Sequence, residues 1–210
     1  PEEICMKIKQ EYPKALVLYL LNRERFYSIG AGKLYEAVQS MEKYGFGRKY
    51  GAVDILSNYD EENPDNLFSL LFLCERIDVA YRCGLYGNVI RLIKNNKKIL
   101  NVSKYTVKQH GDKKKVKELL EKVMMQYEDG EKSIAEFLID IKEMDFVDDE
   151  YLDEIIGEED YSDVIGVSME EFHNLVKYLE EPHISTQHGV KGESHDTVIF
   201  LAANSSRNPV

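Results

Sequence analysis

The residues best suited to chemistry lie in one polar segment, residues 184–197, immediately ahead of an apolar run. Hydroxyl groups and free backbone amides bind phosphate oxygens, a histidine stacks on a base or donates a hydrogen bond, and a glycine lets a backbone come close. Two interpretations stay open from these residues alone: a phosphate-binding loop, or a polar loop whose lysine and glutamate are merely solvated. The segment contains Ser185, Thr186, His188, Lys191, Gly192 and Glu193.

A second candidate is a run of positive charge. Between Arg91 and Lys117 there are ten lysines and arginines against one acid, Asp112, whereas residues 128–171 hold eighteen acids against two lysines. The net charge of -11 is therefore an average, which excludes a uniformly basic nucleic-acid coat but allows a local basic patch. The acidic residues are typical of a solvent-exposed face. The basic run is either another solvent-exposed face or a surface that contacts the backbone phosphates of a nucleic acid. Its densest part is Lys113, Lys114 and Lys115.

Other chemical motifs are excluded by their spacing. A phosphate-binding loop ending in Gly32-Lys33 needs a glycine and a hydroxyl residue where Tyr27 and Leu34 stand, so a Walker A motif is ruled out. We expect Gly30-Ala31-Gly32 to form a strand-to-helix turn, with a DNA-binding helix-hairpin-helix as the weaker alternative. The carboxylates lack calcium-loop spacing, and no serine or cysteine is paired with a base. No catalytic residue and no metal ligand is predicted.

The cysteines and the apolar runs of the sequence indicate in which cellular compartment the protein works. Three cysteines without a CxxC pair argue against a disulfide framework, which favours a reducing, cytoplasmic interior. The longest apolar runs are far shorter than the roughly 20 residues of a membrane span. Because the chain starts without Met and stops just after an apolar run, we expect it to be a piece of a longer protein.

Hydrophobic spacing predicts a helical block between two strand-bearing ends. Strands are expected over residues 15–21 and 197–202, and a turn at Asn63-Pro64-Asp65 precedes a well-buried helix over 67–80. Ser168 and Glu171 are spaced as an N-cap and its capping-box carboxylate. The predicted fold is mainly α, with a helical insertion inside an α/β domain. Further helical segments are indicated near residues 34–41, 89–93, 116–124, 134–141, 151–156 and 172–179.

The polar segment resembles motif V of the UvrD/Rep-like superfamily 1 DNA helicases, whose pattern is T-x-H-x-x-K-G-x-E-x-x-x-V before a strand. Ser194 stands where the family has glutamate, and Glu193 lies one position early. This departure affects the contact that the family's glutamate makes with the nucleotide ribose. The residues that match in register are Thr186, His188, Lys191, Gly192 and Val198.

The resemblance implies a RecA-like domain 2A over residues 1–55 and 183–210, interrupted by a helical 2B-like insertion over 56–182. It implies that Ser185, Thr186 and His188 contact single-stranded DNA, and that Lys191, Gly192 and Glu193 approach the nucleotide. The parent would be an ATP-dependent DNA helicase that uses ATP and Mg²⁺, with DNA and its remaining domains as partners. Walker A, Walker B and motif VI are absent here, so we expect no ATPase activity from this chain alone.

A second hypothesis comes from a different class of protein. The helical block is also typical of a protein-interaction or regulatory module without motor activity, which would bind a protein partner. DNA binding separates the two hypotheses. If Lys113, Lys114 and Lys115 contact DNA, reversing their charges weakens DNA binding and reduces its dependence on salt concentration.

Overall fold

The computed structural model describes residues 7–8, 10–13, 15–45, 47–59, 63–107, 109, 112–182, 184–186 and 196–201. This part of the chain is mainly helical with one small parallel sheet, which confirms that the fold is mainly α. Its strands are β1 (Leu16–Tyr19), β2 (Ile184–Thr186) and β3 (Val198–Leu201). Its α-helices are α1 (Asn22–Ser28), α2 (Gly32–Ser40), α3 (Ala52–Ser57), α4 (Asn66–Arg82), α5 (Tyr86–Asn95), α6 (Asp112–Glu128), α7 (Ile134–Glu143), α8 (Asp149–Gly157), α9 (Ser162–Ile165) and α10 (Met169–Glu180).

The sheet joins strands from opposite ends of the sequence. Its order is β2-β1-β3, and both outer strands run parallel to β1. Val17 lies opposite Ile184 on one side and Ile199 on the other, and all three are buried in a small core with Tyr178. The Tyr178 hydroxyl donates to the Ile184 carbonyl at 2.7 Å. The ten α-helices named above therefore all lie between β1 and β2 in the sequence, although these two strands are neighbours in the sheet.

Two sequence-based expectations for the strands need correction. Residues 184–186 form a strand, not the start of a polar loop, because their backbone pairs with β1. The final apolar run is a strand as predicted, but Val198 and Phe200 are 45% and 50% exposed while Ile199 is buried. Alternate residues of a strand point to opposite faces, so within the described chain only one face of β3 is covered.

The glycines at residues 30 and 32 serve a turn between two helices, whereas a strand-to-helix turn was expected. Gly30 has a φ of 77°, the left-handed conformation that ends α1. The amide of Gly30 donates to the Tyr27 carbonyl, and the amide of Ala31 donates to the Phe26 carbonyl. These are the paired hydrogen bonds of a Schellman motif. A methyl group on Gly32 would lie 2.5 Å from the Tyr27 ring. Local geometry accounts for both glycines.

The predicted helix over 67–80 is the centre of the main core. α4 spans Asn66–Arg82, and most of its apolar side chains are completely buried. Phe72 packs on Phe68 and on Phe172 of α10, with ring centroids 6.3 and 5.3 Å apart. Because this helix is apolar nearly all round, it can only be stable surrounded by other helices.

Asp65 is a buried carboxylate that ties three segments together. One of its oxygens caps α4 by accepting from the Phe68 amide at 3.0 Å. The other accepts from the hydroxyls of Tyr44 at 2.5 Å and Tyr161 at 2.9 Å, and Lys43 lies 3.2 Å away. Burial and the contact with Asp65 raise the pKa of Tyr44, so its phenol stays a donor. Asp65 thus fixes the start of α4 against the 3-10 turns Glu42–Tyr44 and Glu159–Tyr161.

A second distant contact replaces the predicted capping box. Ser168 is the N-cap of α10, as expected, but its side chain makes no capping hydrogen bond. Glu171 instead accepts from the Leu34 amide at 2.9 Å, in the first turn of α2. The N-cap of α2 is Ala31, which has no side-chain acceptor, so a carboxylate from α10 supplies the missing bond.

Two smaller expectations concern the cysteines and hydropathy. Cys74 is buried and Cys83 exposed, and neither is in a disulfide; Cys5 lies outside the described residues. Among the described helices, none is both long and apolar enough to cross a membrane.

We predict that Asp65→Ala lowers the free energy of unfolding by about 3 kcal/mol, because it leaves buried partners without their shared acceptor. Asp153→Ala, at a carboxylate whose side chain is 65% exposed, is the control and should cost less than about 1 kcal/mol. Urea denaturation of both variants measures this. Equal losses would contradict the role given to Asp65.

Candidate nucleic-acid interface

The first candidate surface is the carboxyl edge of the sheet. Since all three strands are parallel, Tyr19, Thr186 and Leu201 end at the same edge, with Thr186 directly opposite Tyr19. Thr186 is 8% exposed and Ser185 is half-buried. Ligands of open α/β sheets bind outside the carboxyl ends of the strands. Ser185 and Thr186 therefore lie at the carboxyl edge of the sheet, which is suited to ligand binding.

The position of the other candidate residues in the polar segment is not described. His188, Lys191, Gly192 and Glu193 lie outside the described residues. Their predicted DNA and nucleotide contacts stay predictions from the resemblance.

Arg25 lies in α1 directly after β1, and no binding role is predicted for it from the sequence. It is 8% exposed, and its Nε and Nη2 atoms are buried without a hydrogen-bond partner in the described chain. Its guanidinium carbon lies 4.8 Å from the Phe26 ring centroid and 5.8 Å from that of Tyr178, the residue bonded to β2. A buried guanidinium with unused donors favours an anion. The only sequence signal was an arginine three residues into the helix that follows a buried strand.

The second candidate surface is the start of α6. Lys113, Lys114 and Lys115 are all exposed in its first turn. Lys114 makes a loose ion pair with Glu118 at 3.8 Å, and the other two make none with any described residue. Positive side chains at a helix N-terminus oppose the macrodipole, so these lysines do not stabilise their helix. Together with the dipole they make a strongly positive end.

These two surfaces belong to different parts of the fold. The sheet packs on α1 and α10, whereas α6 packs on α4 and α7. The structure therefore places Ser185 and Thr186 at the end of one strand of the sheet, and Lys113, Lys114 and Lys115 on a separate helix.

The basic run is also less uniform than its sequence indicates. Lys104 does not add free charge to this run, because its ammonium donates hydrogen bonds to Asp145 at 2.7 Å and to the Met144 carbonyl at 3.0 Å. The exposed charge is concentrated on α5, the segment following it and the first turns of α6.

A polar pocket of about 480 Å³ lies where α4, the end of α6 and α10 meet. The Tyr127 hydroxyl donates to Glu75 at 2.5 Å, and Arg82 forms an ion pair with the fully buried Asp78. Three helices that are distant in the sequence contribute to it, so no local sequence pattern indicates this pocket. Its charged or polar lining side chains are Glu75, Asp78, Arg82, Tyr127, Glu128, His173, Lys177 and Glu180.

Burial sets the protonation of this pocket. Burial raises the pKa of Glu75 and of Asp78. The hydrogen bond from Tyr127 to Glu75 and the positive charge of Arg82 offset this rise only in part. Burial lowers the pKa of His173, whose Nε2 is buried without a hydrogen-bond partner in the described chain. Burial therefore favours the neutral forms of Glu75, Asp78 and His173. No group of described side chains could hold a metal ion.

We predict that His173 titrates below its ordinary pKa of about 6.5. Between the native and unfolded pKa the unfolded chain binds more protons, so the free energy of unfolding falls as pH drops through that window. Glu75, Asp78 and Arg82 of α4, Tyr127 and Glu128 of α6, and Lys177 and Glu180 of α10 face it. His173→Gln should reduce the fall, as urea denaturation at pH values from about 7.5 to 5.5 measures.

Imidazole NMR titration of the wild type, with the His173→Gln spectrum for assignment, gives the pKa directly. A value at or above about 6.5 would contradict the prediction.

No protein-family model, curated protein or solved structure matches the chain. The helicase resemblance therefore depends on the residues of the chain itself.

Proposed function

We propose that the chain is a fragment of an ATP-dependent DNA helicase or translocase of the UvrD/Rep-like type. In this proposal the sheet belongs to a RecA-like domain 2A and the helices between its strands to a 2B-like insertion. The observation that carries it is the parallel pairing of β1 with β2, which puts Thr186 beside Tyr19 at the carboxyl edge. The boundaries at residues 55/56 and 182/183 stay predictions, as does a cytoplasmic location.

The layout of the chain supports this proposal. A helical block that begins and ends at neighbouring strands is what an insertion into an α/β domain requires. Parallel sheets are normally covered on both faces, and the exposed Val198 and Phe200 leave room for more of such a domain.

The proposed DNA contact uses the side chains at the edge. The hydroxyls of Ser185 and Thr186 would bind phosphate or sugar oxygens of a single strand, joined by His188 of the same segment. These contacts carry no base specificity, which suits a motor that moves along any sequence.

The proposed nucleotide contact fits the donors present. Arg25 has unused buried donors for a phosphate, and the resemblance adds Lys191, Gly192 and Glu193. Binding of ATP with Mg²⁺ would close two RecA-like domains, and hydrolysis of the ATP would let them open. The phosphate loop, the metal-holding acid and the charge-stabilising arginine of motif VI would come from other parts of the parent. Arg25 would neutralise charge and orient a phosphate.

The start of α6 is the proposed duplex contact. Its three exposed lysines and the positive helix end attract backbone phosphates without reading sequence. This surface is separate from the sheet edge, so duplex and single strand can be bound by different parts of the chain.

We predict that the chain binds a fluorescent single-stranded oligonucleotide with a dissociation constant of about 1–100 µM at low salt, measured by anisotropy. The double variant Ser185→Ala/Thr186→Val should bind the single strand about five-fold more weakly, because it removes two hydroxyls at the edge. Ser40→Ala is the control, since its hydroxyl bonds only a local carbonyl on an exposed helix end.

For duplex DNA, the triple variant Lys113→Glu/Lys114→Glu/Lys115→Glu should bind at least about ten-fold more weakly, with a shallower salt slope. Lys7→Glu/Lys33→Glu/Lys49→Glu is the control, because it makes the same change in net charge at other exposed lysines. Absence of DNA binding at low salt, or equal losses in both triple variants, would contradict the proposal.

A further inference from the structure

An apolar groove of about 560 Å³ runs between α5 and α6. Its floor is aliphatic and is formed by Val89 and Ile90 of α5, Val116 and Leu120 of α6, and Val107. Val89, Val116 and Leu120 also belong to the main core, so the floor is held rigidly from beneath. The groove is therefore a fixed feature of the helical block.

Large apolar side chains are exposed where the groove opens. Leu85 and Tyr86, at the start of α5, are 51% and 47% exposed. Tyr86 lines the groove and is held edge-on by Tyr81, with ring centroids 5.8 Å apart. Exposed apolar surface that adjoins an apolar groove marks an interaction site, because leaving it in water is unfavourable.

The rim of the groove is positive. Lys113 and Lys117 line it from adjacent turns of α6, and neither makes an ion pair within the described chain. The Lys117 ammonium lies 5.8 Å from the Tyr86 ring centroid, which holds it over the groove. Lys114, one position from Lys113, is not in the lining and pairs with Glu118. Among the described residues, Lys113 and Lys117 thus place unpaired positive charge at the groove.

We propose that this groove binds an acidic amphipathic helix of a partner protein. Such a helix presents apolar residues at every third or fourth position, which would fill the aliphatic floor. Its acidic residues would then meet Lys113 and Lys117 at the rim. Nucleobases are a poorer fit, because single strands bind by stacking on aromatic side chains and the groove has only Tyr86 among its described lining.

This inference does not rest on the helicase proposal. A motor fragment and a regulatory module could both carry such a groove, and the sheet edge plays no part in it. The experiment below therefore leaves the DNA contacts at Ser185 and Thr186 untouched.

The probe is a fluorescent peptide of about 16 residues, with leucine at helical a and d positions and glutamate at most others. We expect a dissociation constant of about 10–100 µM by anisotropy. Tyr86→Ser and Lys117→Glu should each weaken binding about ten-fold. The matched controls on α6, Met125→Ser and Lys122→Glu, lie outside the lining and should bind like the wild type. Circular dichroism verifies that each variant is folded.

Several results would overturn the proposal. They are no binding at about 500 µM protein, losses in the controls equal to those in the groove variants, or tight binding of a scrambled peptide with the same composition. Self-association that Tyr86→Ser abolishes would make a second copy the occupant instead. If binding of single-stranded DNA requires Tyr86 and binding of the peptide does not, the occupant of the groove is a nucleobase.

Discussion

The pairing of β1 with both β2 and β3 is the constraint on which the rest of the structure depends. It brings residues 16–19 beside residues 184–186 and 198–201, so the helices must form a block that starts and ends at the sheet. It also gathers Thr186, Ser185 and the helix that carries Arg25 at one edge. Without this long-range pairing Ser185 and Thr186 would belong to a polar stretch with no sheet edge beside it.

Charge within the helical block is used in two different ways. Some acids of residues 128–171 form ion pairs with lysines: Lys43 pairs with Glu158, Lys132 with Asp140 and Lys142 with Asp153. The basic face on α5 and α6 has few such partners among the described residues. The net charge of -11 therefore hides a positive surface whose charge is available to an external anion.

Local patterns were predictable from the sequence and long-range ones were not. α4 followed from its apolar spacing, and its start from the turn at Asn63-Pro64-Asp65, because both depend on neighbouring residues. β2 is three residues long and exists only through its pairing with β1. Glu171 was expected to cap its own helix but caps α2 instead, since Ala31 there offers no acceptor. The polar pocket and the orphaned Arg25 arise only where distant helices or strands meet.

Hydrogen–deuterium exchange, with and without a thymidine oligonucleotide of about 20 nucleotides, tests the central claim most directly. If the carboxyl edge of the sheet binds single-stranded DNA, peptides covering residues 184–186 and 22–28 should exchange more slowly in the complex. Peptides covering α7 and α8, on the acidic half, should be unchanged. Protection confined to other segments while DNA is bound, or no protection at the edge, would contradict the account.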